Sequence, residues 1–241
     1  MPRQPRLVAP DIAMHVVQRG HNRAACFRED TDYLVYLTTL SDLLSKTGCA
    51  LHAYCLMTNH VHLLLTPSMP HSCAKLMRDL GQRYVQYFNR RYERTGTLWE
   101  GRFRSCLVDS ADYILACYRY IERNPVRAGM VGAASQYRWS SYHGNVGELE
   151  NRLLTPHAEF LALSSAGYKG MLNEGDEPAF LAAVRDATNG GFAVVGDALK
   201  MQLTAQTGRY LERRKSGPAP TQERESLDQL SLELGLCPRS G

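Results

Sequence analysis

The segment from Leu51 to Thr66 constrains the fold of this chain more than any other. Leu51 to Met57 and His60 to Thr66 are apolar runs parted only by Thr58-Asn59. Runs of this length read as strands, and the short gap predicts a hairpin. Within the second run stands His60-Val61-His62. Residues i and i+2 of a strand point to the same face, so the two imidazoles emerge side by side. Such a pair suits a single metal ion, although two histidines satisfied by hydrogen bonds would read the same way.

The rest of the first 145 residues arranges itself around this hairpin. Met14 to Gln18 reads as a strand and is followed by the polar turn Arg19-Gly20-His21-Asn22-Arg23. Asp32 to Lys46 has helical spacing in Tyr33, Tyr36, Leu37, Leu40, Leu43 and Leu44, and Gly48 is a fitting C-cap. After the break at Pro67 to Pro70, Ser72 to Tyr92 forms a long helix with Leu76, Leu80, Tyr84, Tyr87 and Phe88 as core positions. A loop with two glycines, Thr95 to Arg104, leads to a short strand at Ser105 to Val108. Asp109-Ser110-Ala111-Asp112 offers capping side chains for a helix running from Tyr113 to about Asn124.

The order β-α-β-β-α-β predicts an α+β fold, the ferredoxin-like split β-α-β arrangement. Its central antiparallel sheet carries the two histidines, with helices on one face. Composition shifts after residue 145, so residues 1–145 are expected to form the principal domain and 146–241 a helical C-terminal extension. In the latter, Glu177 to Asp186 and Ala198 to Arg214 look helical. Ser216 to Pro220 reads as a linker, and Thr221 to Leu236 as a last amphipathic helix.

Charge divides along the same line. Residues 1–145 carry 16 Arg and 2 Lys against 11 Asp and Glu, whereas residues 146–241 carry 10 basic against 13 acidic groups. Arginine suits bidentate phosphate contacts and stacking on bases, which favours a nucleic-acid partner over a merely solvated face. No apolar stretch is long enough for a membrane span, and Met1 to Arg6 lacks the apolar core of a signal peptide. The seven cysteines are scattered without a CxxC pair. A cytoplasmic, nucleoid-associated protein with reduced thiols is expected.

The helix from Tyr113 carries the second chemical element. At 100° per residue Ile114, Cys117, Tyr118 and Ile121 share one apolar arc, while Tyr120 and Asn124 fall together at its edge. Tyr120 is therefore a candidate nucleophile and Asn124 an oxygen ligand one turn beyond it. Tyr118, paired with Glu122 at i+4, reads as core and remains the competing nucleophile. Asn124 precedes Pro125, which disfavours helical geometry there. Two histidines plus an oxygen ligand leave positions open on a divalent ion, Mn2+ or Mg2+, for a phosphate oxygen and water. Arg102 and Arg104 alternate with Trp99 and Phe103, a pattern that suits single-stranded nucleic acid, with burial of both aromatics as the other reading.

Five segments taken together resemble a known family. They are His15 to Gly20, Ala53 to Leu64 with its His60-Val61-His62, Gly96 to Phe103, Arg119 to Ala128, and Trp139-Ser140-Ser141-Tyr142. They resemble the HUH single-strand endonucleases of the single-tyrosine transposase type, and among these the REP-associated tyrosine transposases. The resemblance spans residues 14–142 and fades beyond about 145. It implies a ferredoxin-like catalytic domain with a divalent metal on His60, His62 and Asn124, and Tyr120 as nucleophile. It further implies cutting of one DNA strand near hairpins of repetitive extragenic palindromes, with a 5′-phosphotyrosine link and rejoining by a 3′ hydroxyl. Arg19, Arg83, Trp99, Arg102, Arg104 and Arg127 are the candidate DNA contacts. The resemblance leaves monomer and homodimer both open. The rival readings are a DNA-hairpin-binding regulator without catalysis and an RNA-directed protein of the same fold.

Overall fold

The computed structural model describes residues 6–174, 178–207 and 211. Strand β1 (Ala13–Arg19) is followed by helix α1 (Asp30–Thr47), the hairpin β2 (Cys49–Met57) and β3 (His60–Pro67), helix α2 (Ser72–Arg91), strand β4 (Arg104–Val108) and helix α3 (Ala111–Glu122). Short helices α4 (Asn124–Arg127), α5 (Tyr142–Asn145) and α6 (Ala158–Leu161) come next. Then follow α7 (Ser165–Asn173), α8 (Pro178–Gly190), strand β5 (Ala193–Val194) and α9 (Asp197–Thr207). The sheet order is β2-β3-β1-β4-β5. The first four strands pair antiparallel in the expected ferredoxin-like arrangement, whereas β5 pairs parallel with β4. The sheet is therefore mixed, because a strand from beyond residue 145 returns to its edge. The expected linker and final helix at 216–236 lie outside the described residues.

Local chemistry explains the element ends. Asp32 accepts from the Arg28 and Glu29 amides at the start of α1, and Tyr87 and Tyr92 donate to the same buried carboxylate. These bonds satisfy N-terminal donors and tie α1 to α2. Gly48 ends α1 in the left-handed conformation, φ 64°, donating to the Leu44 and Ser45 carbonyls. Ser110 holds the N-cap position of α3 but makes no side-chain capping bond, unlike the expectation for that acidic cluster. The hairpin turn is anchored from outside: Cys26 and Phe27 donate to the Thr58 carbonyl and Gly20 to that of Asn59.

Strand pairing sets the two faces. Val17 opposes His62 and Arg19 opposes His60, so these four share one face with His15. Met14, Val16 and Gln18 point the other way. Helices α1 and α2 cover that second face, their Tyr36 and Tyr84 rings 5.1 Å apart in the core. Helix α3 lies on the first face, against β2, β3 and β4, which the expectation of a single helical layer did not include. The outer edge of β2 is covered as well. Leu56 donates to the Trp139 carbonyl, Ser141 to that of Tyr54, and Thr155 to that of Leu51, so the edge offers little template for pairing with another chain.

The described part of 146–241 packs back on this frame through Tyr168, β5 and α8. Among the described residues no helix is long and apolar enough to cross a membrane. Six of the seven cysteines are described, and all six are buried and unpaired.

Candidate functional site

On the α3 face of the sheet His60 and His62 stand with ring centroids 4.9 Å apart. Each ring is held through Nδ1. His60 Nδ1–H donates to Asn59 Oδ1 at 2.7 Å, and the Asn59 amide is oriented by its own bond to the Arg23 carbonyl. His62 Nδ1 lies 2.8 Å from Nε2 of His15, whose Nδ1 lies 3.0 Å from the Thr188 hydroxyl. Nε2 is thus the nitrogen left over on both rings. Burial lowers the pKa of His60 to about 4, assisted by the Arg19 charge. It holds His62 well below the usual imidazole range, helped by His15, His60, Arg127 and Arg19, and it brings His15 to about 3 with Arg127 assisting. At neutral pH all three are neutral imidazoles, the form that ligates a metal.

Tyr120 reaches this cluster from α3. Its ring meets those of His15 and His62 edge-on, centroids 5.5 and 5.8 Å away. The Arg127 guanidinium lies 4.3 Å over its other side and bonds the Tyr120 carbonyl. Tyr118 is fully buried on the far side of the helix. Its ring stacks on Phe160 and its hydroxyl accepts from the His157 amide, as expected of a core tyrosine. Asn124 opens α4 one turn past Tyr120, and its carbonyl accepts from Ala128. Arg123, just before it, still donates to the Arg119 carbonyl, so helical direction continues almost to Pro125.

Among the described residues no group of three or more His, Cys, Asp or Glu is disposed for a metal. A divalent ion here would rest on two imidazoles and a neutral oxygen, and the neutral rings with unengaged Nε2 atoms fit that role. The arginines divide. Arg19, Arg102 and Arg104 line a cleft of about 200 Å³ together with Glu100 and Asn189, and Arg104 is tethered to Asn189. Arg127 touches Tyr120. Arg83 is exposed on α2, which covers the opposite face. Trp99 is buried, its ring 5.9 Å from that of Tyr84, and is turned away from the histidines.

Sequence reasoning missed His15 and Thr188 as supports of the site. His15 shares the β1 face with Val17 and Arg19, so its parity was readable. Its partner from α8, 173 residues away, was not. It also missed the role of Glu122. This fully buried carboxylate accepts from Ser141, Asn145 and Tyr168, locking α3 to α5 and α7.

The site is thus a sheet-borne pair of histidines faced by a helical tyrosine. Residues 9–124 match the family model described as "Transposase IS200 like". That match supports a transposase-like, DNA-processing role. A search of curated proteins returns no match. Among solved structures the chain is similar to a REP-associated tyrosine transposase bound to a REP hairpin. The identity is 15%, the TM-score 0.52, and the likeness covers 66% of this chain and 93% of the other. Weaker likenesses are a candidate transposase from Deinococcus radiodurans (16%, TM-score 0.36, covering 54% of this chain and 92% of the other) and the tRNA(His) guanylyltransferase of Saccharomyces cerevisiae (10%, TM-score 0.35, covering 79% and 83%).

Proposed function

We propose that the protein is a metal-dependent single-stranded DNA endonuclease and strand transferase acting on palindromic hairpins through a tyrosine link. The observation that carries this reading is the placement of the Tyr120 ring edge against His62, on the face that also holds His60. His60, His62 and the Asn124 amide oxygen would hold Mn2+ or Mg2+. When bound, the ion supplies Lewis-acid polarisation of the scissile phosphate. Tyr120 then attacks phosphorus. A phenolic O–P bond forms, the bond to the 3′ oxygen breaks, and the phenol proton is given up as the departing oxygen takes one from solvent. A later 3′ hydroxyl reverses these steps, which conserves bond energy without ATP. Arg127 stacks over the Tyr120 ring and helps to hold it in place, and Arg19, Arg102 and Arg104 receive backbone phosphates. The structural relative at TM-score 0.52 holds a REP hairpin, and hairpins of that kind are the substrate class this reading assigns. The boundary at residue 145 then divides the catalytic unit from an extension that supports it.

The test mixes the protein with end-labelled hairpin DNA, drawn from palindromes flanking its own gene, and Mn2+ on a denaturing gel. A metal-dependent protein–DNA adduct on the 5′ side of the cut is expected. Tight binding without any adduct would favour the non-catalytic regulator, and adducts formed only on RNA would move the substrate class.

Ligation through Nε2 requires His62 Nδ1 to carry the proton given to His15, which in turn donates to Thr188. Partners of this kind fix the tautomer and orientation of a ligand. His15→Phe keeps the ring but removes the acceptor, and Mn2+ affinity is expected to fall about 10–100-fold, with a smaller fall for Thr188→Val. Loss of the free Mn2+ electron-resonance signal on titration measures both. Affinity unchanged in His15→Phe would remove this chain of bonds from the site.

A further inference from the structure

On the sheet face opposite the histidines, between α2 and the segment 99–103, lies a cavity of about 610 Å³. Met77, Val85 and Phe103 give it apolar walls. Gln18 and Trp99 also line it, and both residues are 94% buried. The Gln18 Oε1 and Trp99 Nε1 atoms have no hydrogen-bond partner among the described residues. Buried polar groups are almost always paired, so two orphans on one wall need an explanation. Turning the Gln18 amide about its last torsion presents either a donor or an acceptor.

Gly81 adds an independent observation. It sits buried inside α2 with no positive φ, where glycine disfavours a helix. A Cβ there would stand 3.6 Å from Gln18 Nε2 and 3.6 Å from Trp99 Nε1. The glycine thus leaves both polar groups uncovered. A flat ring with an adjacent donor and acceptor on its edge, and apolar faces, matches this wall. Arg102 is exposed on the rim. Gly101 and Arg102 line both this cavity and the cleft that holds Arg19 and Arg104 on the catalytic face. A strand bound along that cleft passes Arg102 into the cavity mouth.

We propose that this cavity receives one unstacked nucleobase from the single strand flanking the hairpin, read by Gln18 and Trp99. The inference rests on the single-stranded DNA reading above. Its test is an abasic scan. Hairpin oligonucleotides with a single-stranded flank carry an abasic site at each flank position in turn, and dissociation constants are measured by fluorescence anisotropy. Wild type should lose about tenfold at one position. Gly81→Ala, which covers the polar pair at ordinary contact distance, and Gln18→Met, which keeps volume but not polarity, should bind the intact flank about tenfold more weakly. Both should become indifferent to the base at that position, while melting no lower than wild type. Variants that bind the intact flank as wild type does, or that keep the abasic loss, would overturn the proposal. So would a wild type that binds hairpins without any sensitive flank position. A wild type that binds no hairpin DNA at all would overturn the broader reading too, and is told apart by the unflanked hairpin.

Discussion

Tyr120→Phe is expected to abolish the covalent protein–DNA adduct, by at least about 10³-fold, with the fold intact. Removing a nucleophile removes the reaction path rather than weakening a contact. The substitution deletes a single oxygen. The ring contacts with His15 and His62, and the Arg127 guanidinium over the ring, stay in place. A stability change within about 0.5 kcal/mol is therefore expected, so lost chemistry cannot be blamed on unfolding. Tyr118→Phe is the control. It removes an acceptor of the His157 amide deep in the core and should still form adduct. Adduct yield and cleavage on denaturing gels, with thermal melts of both variants, decide the matter. Cleavage that persists in Tyr120→Phe would make water the nucleophile.

Replacing Glu122 should change stability more than replacing His15, Gln18, Gly81, Tyr118, Tyr120 or Thr188. Burial lifts its carboxyl to about 7 from the ordinary 4.5, against the pull of bonds from Ser141, Tyr168 and Asn145. Because the folded-state pKa is raised, the folded chain binds more protons than the unfolded one between those values. Its contribution is full below about 4.5 and is lost as pH rises through about 7, by ~3 kcal/mol. The buried His15, His52 and His60 have lowered pKa values and act oppositely, adding stability as pH rises toward 6.5. The quantity to measure is therefore a difference. Glu122→Gln should gain on wild type by roughly 2–3 kcal/mol between pH 5 and pH 8 in urea melts. Glu122→Ala leaves three donors without an acceptor and should cost about 3–5 kcal/mol at pH 5, a cost that shrinks by the same 2–3 kcal/mol toward pH 8. A pH-independent difference between Glu122→Gln and wild type would mean that the carboxyl titrates normally.

Local pattern carried most of the frame. The strand read at Met14 to Gln18 runs from Ala13 to Arg19, and the helix read at Ser72 to Tyr92 runs from Ser72 to Arg91. The hairpin, the Gly48 cap and the buried arc of Tyr118 are likewise as expected, because periodicity and capping are properties of a few neighbouring residues. The short β5 carries no periodicity of its own and exists only because β4 offers it an edge. Trp99 shows the same limit. Its alternation with Arg102 and Phe103 suits an exposed stacking surface equally well, and packing against Tyr84 turns it inward.

The sequence by itself determined the kinds of chemistry: two imidazoles on one strand face, a tyrosine at the edge of a helix, and arginines through the basic half. Strand alternation and helical pitch are enough for that. Only the tertiary structure decided which face α3 covers, hence that Tyr120 meets His62. It alone joined His15 to Thr188 across 173 residues and opened the wall of Gln18 and Trp99 beside Gly81. The physical reason is range. Hydrogen bonds and packing between distant segments depend on how layers close over one another, and no neighbour along the chain records that.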